Sequence, residues 1–308
     1  MNRYAIITVM LLTILASCEK KPSEQKPGSL MLTGIQITKG SEMVSINLDS
    51  GYVSTNPVNC YVLSSTVYDP NTGGYGYVNC DTVFNLINTE TGDILKSFRL
   101  PGLISSAVID PENDLLIGTY GEYEYIDDPD SSNNATIPVF HTYLLTTSLE
   151  TGDIVLRKEI DLGDGVMICT HYYDPVNKLY VMQRADNRLI FFNTVTGTIS
   201  RTADIGRPLV NVAYNPDDGT IISVGLEDEE GTYYIKVYEP ETGKRLSLKE
   251  VAGVKGVYAC MAAYDHETGC YLTVSTDNDV LFIDPATGEI KKTVKLDYTL
   301  SDVRFLRR

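Results

Sequence analysis

The residues of this 308-residue chain best suited to chemistry gather in three acidic runs. Glu122, Tyr123, Glu124, Tyr125, Asp127, Asp128 and Asp130 crowd the first; Glu227-Asp228-Glu229-Glu230-Gly231 is the second, and Asp277, Asn278 and Asp279 form the third. Carboxylates, Asn and backbone carbonyls are the oxygen ligands that calcium takes, so Glu124, Asp127, Asp128 and Asp130 are candidate metal ligands, although their spacing does not match an EF-hand loop. The same charges serve equally as a solvated surface or as a field that attracts a basic partner. The Tyr123 and Tyr125 pair offers rings that stack on a sugar or a peptide.

Catalytic constellations are sparse. There are three histidines, His141, His171 and His266, too few to expect a His-rich metal site. No Gly-x-Ser-x-Gly elbow and no phosphate loop occurs, and carboxylate pairs are too numerous for one to stand out. A non-catalytic binding protein is therefore expected. The alternative is a polysaccharide lyase or hydrolase in which loop carboxylates, His171 or a bound cation meet in one pocket.

A formal charge of −16 repels phosphate backbones, so nucleic acid is not an expected partner. The N-terminus carries Asn2 and Arg3, then an apolar run from Tyr4 to Leu15 too short to span a bilayer, the pattern of a signal peptide. It ends in Leu15-Ala16-Ser17-Cys18, which resembles the lipobox of bacterial lipoproteins. That resemblance implies cleavage after residue 17, a lipid on Cys18, and an envelope protein facing the periplasm or the exterior that touches the membrane through its anchor alone. Residues 18–29, rich in Lys, Pro, Glu, Ser and Gln, read as a flexible tether, and residues 30–308 as one folded domain, expected to be monomeric. Beyond Cys18 lie Cys60, Cys80, Cys169, Cys260 and Cys270, an odd number that leaves at least one thiol free. Pairs within one unit, Cys60 with Cys80 or Cys260 with Cys270, do not fall opposite each other across a hairpin, so free thiols are expected.

The elements that must position these residues repeat. A turn of the form [Asn/Ser/Glu/Asp]-x-x-[Thr/Ser]-Gly ends at Gly51, Gly92, Gly152, Gly197, Gly243 and Gly288, at intervals of 41, 60, 45, 46 and 45 residues. Each follows an apolar run and precedes a more polar one, as in a hairpin whose glycine supplies the positive φ. Upstream in each unit lies a second turn, seen in Tyr68-Asp69-Pro70, Ile109-Asp110-Pro111, Tyr173-Asp174-Pro175, Tyr214-Asn215-Pro216 and Tyr264-Asp265-His266. Four antiparallel strands per unit and six units predict an all-β, six-bladed β-propeller. The first unit lacks an inner strand, and Asp302-Val303-Arg304-Phe305 aligns with Asn211-Val212-Ala213-Tyr214, so the C-terminal strand is expected to close the ring by joining the N-terminal blade.

Leu179-Tyr180-Val181 and Asp284-Pro285-Ala286-Thr287-Gly288 are similar to the repeats of the YVTN and quinoprotein-like propeller superfamily. The resemblance implies a fold and not an activity, since those motifs are structural. Quinone binding (PQQ) in related dehydrogenases relies on tryptophans, and this chain has none, so no cofactor is expected beyond calcium.

On this scaffold the 60-residue interval places its excess in a loop between second and third strands, Gly121 to Pro138, on the face where propellers commonly bind ligands. There the acidic, Tyr-bearing surface is expected to meet a glycan, a peptide or an envelope protein. A second set sits four residues before the inner-strand turn: Ser65, Ser106, Thr170, Asn211, Met261 and Asp302. Their mostly polar side chains are expected at the channel mouth, holding a ligand or ordered water.

Overall fold

The computed structural model describes residues 28–36, 42–58, 65–127, 136–163, 165–167, 169–227 and 231–307. The expected leader, Cys18 and most of the tether lie outside these residues, as do Cys60, Asp128, Asp130 and Asp228 to Glu230.

Six four-stranded antiparallel sheets form the ring, with no helix among the described residues. From inner to outer strand, blade 1 runs Leu300–Arg307, Leu30–Gln36, Glu42–Asn47 and Val53–Pro57, and blade 2 runs Val67–Asp69, Gly74–Val78, Val83–Asn88 and Ile94–Arg99. Blade 3 is Ser105–Asp110, Leu115–Asp127, Thr136–Ser148 and Ile154–Glu159; blade 4 is Tyr172–Asp174, Leu179–Gln183, Arg188–Asn193 and Ile199–Asp204. Blade 5 comprises Val212–Asn215, Thr220–Leu226, Tyr233–Glu239 and Lys244–Glu250, and blade 6 Val257–Asp265, Cys270–Ser275, Asp279–Ile283 and Ile290–Lys295. The expected closure is present: the last strand pairs with the first, Leu32 opposite Phe305 and Leu30 opposite Arg307. Arg307 fixes it to the neighbouring blade, its Nε 2.6 Å from Oδ1 of the buried Asp265.

Burial follows from blades stacked face to face. A second strand packs on both faces, so all five residues of Leu179–Gln183 are buried, whereas the rim strand Ile154–Glu159 is almost wholly exposed. The core lies between blades: Leu30, Leu32 and Val44 of blade 1 pack with Leu272, Val280 and Phe282 of blade 6. The repeated turn works as its residue types dictate. The Asn193 side chain accepts the N–H groups of Val195 and Thr196, and Gly197 follows at φ 67°. At Gly243 and Gly288 glycine is required twice over, because a Cβ would lie 2.0 Å from the carbonyl oxygen of Asp204 and 2.2 Å from that of Glu250.

A finer symmetry lies inside the six-fold one. Ser106, Asn211 and Asp302, at φ 53–54°, sit at the inner-strand entries of blades 3, 5 and 1, the ladder shifting register around Ser106 in blade 3. Such a conformation turns a carbonyl away from its own sheet. Each freed carbonyl accepts the hydroxyl of a fully buried tyrosine in the second strand of the next blade: Tyr180 donates to Ser106 at 2.7 Å, Tyr271 to Asn211 at 2.6 Å and Tyr75 to Asp302 at 2.7 Å. Blades 3, 5 and 1 carry Leu116, Ile221 and Leu32 at the tyrosine position, so the ring is built from three blade pairs.

Candidate functional site

Two concave regions carry the polar and aromatic residues singled out above. The first is set by the 60-residue interval. Gly121 to Pro138 was expected as a loop, but the two strands of blade 3 run on for 13 residues each, pairing Tyr125 with Pro138 and Tyr123 with Phe140. Directly paired residues share a face, so Tyr123, Tyr125, Pro138 and Phe140 stand on one side of a projecting hairpin. Tyr123, Tyr125 and Phe140 are 66%, 68% and 57% exposed. The rings of Tyr123 and Phe140 lie 5.0 Å apart. Gly121 completes this face, for a Cβ there would collide with the Phe140 ring.

The opposite side of the hairpin carries the charges, and they are neutralised locally. Nε2 of His141 lies 3.1 Å from Glu124 and its Nδ1 2.7 Å from Glu159, and the Glu159 hydrogen bond leads in raising the imidazole pKa above its ordinary value. Glu122 pairs with Arg157 at 2.6 Å, and that guanidinium lies over the Tyr143 ring. A cleft of about 860 Å³ opens at the foot of the hairpin, walled by Ser105, Phe140, His141, Lys158, Glu159 and Asp161.

Several of the described members of the acidic runs are paired with cations. Glu227 is nine-tenths buried and sits among three cations, with Arg245 at 2.6 Å, Lys236 at 2.7 Å and Arg207 at 2.9 Å. Although burial opposes ionisation, the Lys236 hydrogen bond and the other cations hold its carboxyl below the ordinary carboxylate range. Asp277 faces Lys255 at 3.4 Å. Of the candidate calcium ligands, Glu124 is engaged by His141, Asp127 is placed only as a backbone pair of Thr136, and Asp128 and Asp130 fall outside the described residues. No group of three or more His, Cys, Asp or Glu converges among the described residues.

The second region is an axial cavity of about 320 Å³ lined by the inner strands. Of the residues expected at the channel mouth, Asn211 lines it, while Ser65, Ser106, Thr170 and Asp302 do not. The buried Thr170 turns its hydroxyl away, onto the Met167 carbonyl at 2.8 Å. The wall is built instead by residues one to three places before the turn, Tyr68, Tyr214 and Tyr264 among them, with His171 and Arg304. Tyr214 donates to Asp174 of the preceding blade at 3.2 Å, and burial leads in raising its phenol to about 12.

The cysteines differ from expectation. Cys169 and Cys260 form a disulfide, 91 residues apart, with Cα atoms 4.6 Å apart. The pair joins equivalent positions of blades 4 and 6, both at positive φ, passing over the inner strand of blade 5 and lining the cavity. Pairings considered within one unit could not reveal it; the repeat period, which puts both cysteines at the same place in alternate blades, could. Cys80 and Cys270 are free. Arg304 was seen only as part of the closing strand, and an arginine where other blades carry Val67, Val108, Ala213 or Ala263 was the available signal. No known family profile matches this chain, and no curated protein is found to be similar to it.

Proposed function

We propose that this chain is a binding propeller of the bacterial envelope, held by a lipid on Cys18, whose blade 3 hairpin recognises a glycan. The observation that carries the reading is the exposed row of Tyr123, Tyr125 and Phe140 above the cleft at the hairpin's foot. Flat rings on a rigid arm stack on the apolar faces of sugars, while the neighbouring polar groups of Ser105, Lys158 and Asp161 select hydroxyls. Such a row held away from the core costs solubility and adds little to the stability of blade 3 beyond its own cross-strand pairs, which fits a recognition role. The Cys169–Cys260 disulfide supports an exported protein, because such bonds persist in oxidising compartments.

The test is binding of the full-length protein to an array of bacterial and plant polysaccharides, alongside the Tyr123→Ala/Tyr125→Ala double variant. The reading expects retention on at least one glycan class and at least tenfold weaker binding by the variant, with an unchanged melting temperature. Retention only on peptides, lost in the same variant, would transfer the site to a peptide or protein partner. Binding indifferent to the two tyrosines would overturn the reading.

A further inference from the structure

The axial cavity holds an unfinished set of polar groups. Arg304 donates from Nε to the Thr66 carbonyl at 2.8 Å and from Nη1 to those of Cys260 at 2.7 Å and Val303 at 3.1 Å. Its Nη2 has no partner among the described residues, and no carboxylate forms an ion pair with it there, Asp302 acting on it only from a distance. Around it, Nδ1 of His171, the Oδ1 of Asn211 and the hydroxyls of Tyr68 and Tyr172 are buried atoms without a hydrogen-bond partner, and all four residues line this one cavity. An unpaired buried cation and four unpaired dipoles are costly, and proteins retain such groups where something else completes them. Arg304 and His171 keep some accessible surface although protein surrounds them, because that surface is the cavity wall.

We propose that the axial cavity is a binding site for a small hydroxylated carboxylic acid, with its carboxylate on Arg304 and its hydroxyl on Asn211. With Nε and Nη1 already turned to carbonyls, Nη2 is left to donate a charge-assisted hydrogen bond to one oxygen of a carboxylate. The Asn211 amide is oriented by its Nδ2, which donates to the Tyr258 carbonyl at 2.6 Å, so Oδ1 accepts from a hydroxyl. The Tyr68 hydroxyl and His171 supply further partners for the ligand's oxygens. No carboxylate lines the wall among the described residues. The volume is at the small end of the roughly 300–1,000 Å³ of ligand pockets, which favours a single sugar acid or a hydroxy acid over an oligomer. This site is separate from the hairpin and stands without it.

The experiment is titration calorimetry and thermal melting of the full-length protein with D-glucuronate and L-lactate, using D-glucose, acetate and inorganic phosphate as comparisons. At least one of the two hydroxy acids binds saturably and raises the melting temperature; glucose, which lacks the carboxylate, does not, and acetate, which lacks the hydroxyl, binds at least tenfold more weakly. Arg304→Gln abolishes binding, and Asn211→Asp, which sets a second negative charge opposite the ligand, weakens it at least tenfold. Tyr68→Phe removes only a hydroxyl without a partner, so it folds and weakens binding severalfold, which decides the matter if the other variants do not fold. Tyr123→Ala/Tyr125→Ala leaves this binding unchanged. Silence of both hydroxy acids, as from a cavity that holds only water, would overturn the proposal. So would phosphate binding in their place, indifference to all three cavity substitutions, or loss of binding in the hairpin variant.

Discussion

The buried tyrosines show how much a single hydroxyl can carry. Tyr75, Tyr180 and Tyr271 each satisfy a carbonyl that a positive-φ residue has turned out of its sheet, and burial leads in raising all three phenols far above their ordinary pKa. Tyr271→Phe leaves the Asn211 carbonyl with no donor, at a cost of about 1–3 kcal/mol, measurable as a lower urea midpoint with an unchanged slope. The two cited histidines titrate in opposite directions. His171 is enclosed beside Arg304, and desolvation leads in lowering its pKa from 6.5 to about 3. The unfolded chain takes up a proton in that interval that the folded protein refuses. Stability is therefore full above about pH 6.5 and falls as the pH drops toward 3, and His171→Gln flattens the dependence in chemical unfolding. His141 is raised by Glu159 first; its contribution is present below pH 6.5 and lost as pH rises through the folded value, and its imidazole proton resonances are expected to titrate above 6.5.

At the scale of elements, the turns were legible because their residue types are the mechanism. Asn193 caps its own turn, and Gly243 is the only residue type that fits against the Asp204 carbonyl. Gly243→Ala adds positive-φ strain to a backbone collision, and is expected to lower the melting temperature of the whole ring. The extended hairpin was located but misread as a loop. Its acidic residues suggested solvated irregular chain, whereas the Tyr123–Phe140 and Tyr125–Pro138 pairs extend the ladder beyond the rim. The positive-φ entries to the inner strands were not legible at all, since Ser, Asn, Asp and Cys occupy them and share no signature. Without them, the residues four places before the turn look like channel lining, although of those described only Asn211 takes that role.

At the scale of the molecule, the count of blades and the closure by the last strand could be read from the repeat interval and from the missing first inner strand. What the repeat did not convey was side-chain pairing, such as the three cations gathered around Glu227; the disulfide from blade 4 to blade 6 was implicit in the period and was not drawn from it. Closure depends on Arg307, which meets Asp265 where that carboxylate is 1% exposed and also donates to the Gly28 carbonyl. Arg307→Ala leaves an uncompensated buried charge, a loss of about 3–5 kcal/mol that frees the final strand and speeds proteolysis near residue 300. The closed ring holds the blade 3 hairpin still enough to serve as a recognition arm, and that is the central claim. Its most direct test is amide hydrogen exchange on the full-length protein, alone and with a retained envelope polysaccharide. The account predicts added protection in residues 121–127 and 136–142 and none on the rim strands of blades 5 and 6. Protection confined to any other blade, with the hairpin exchanging as before, would contradict it.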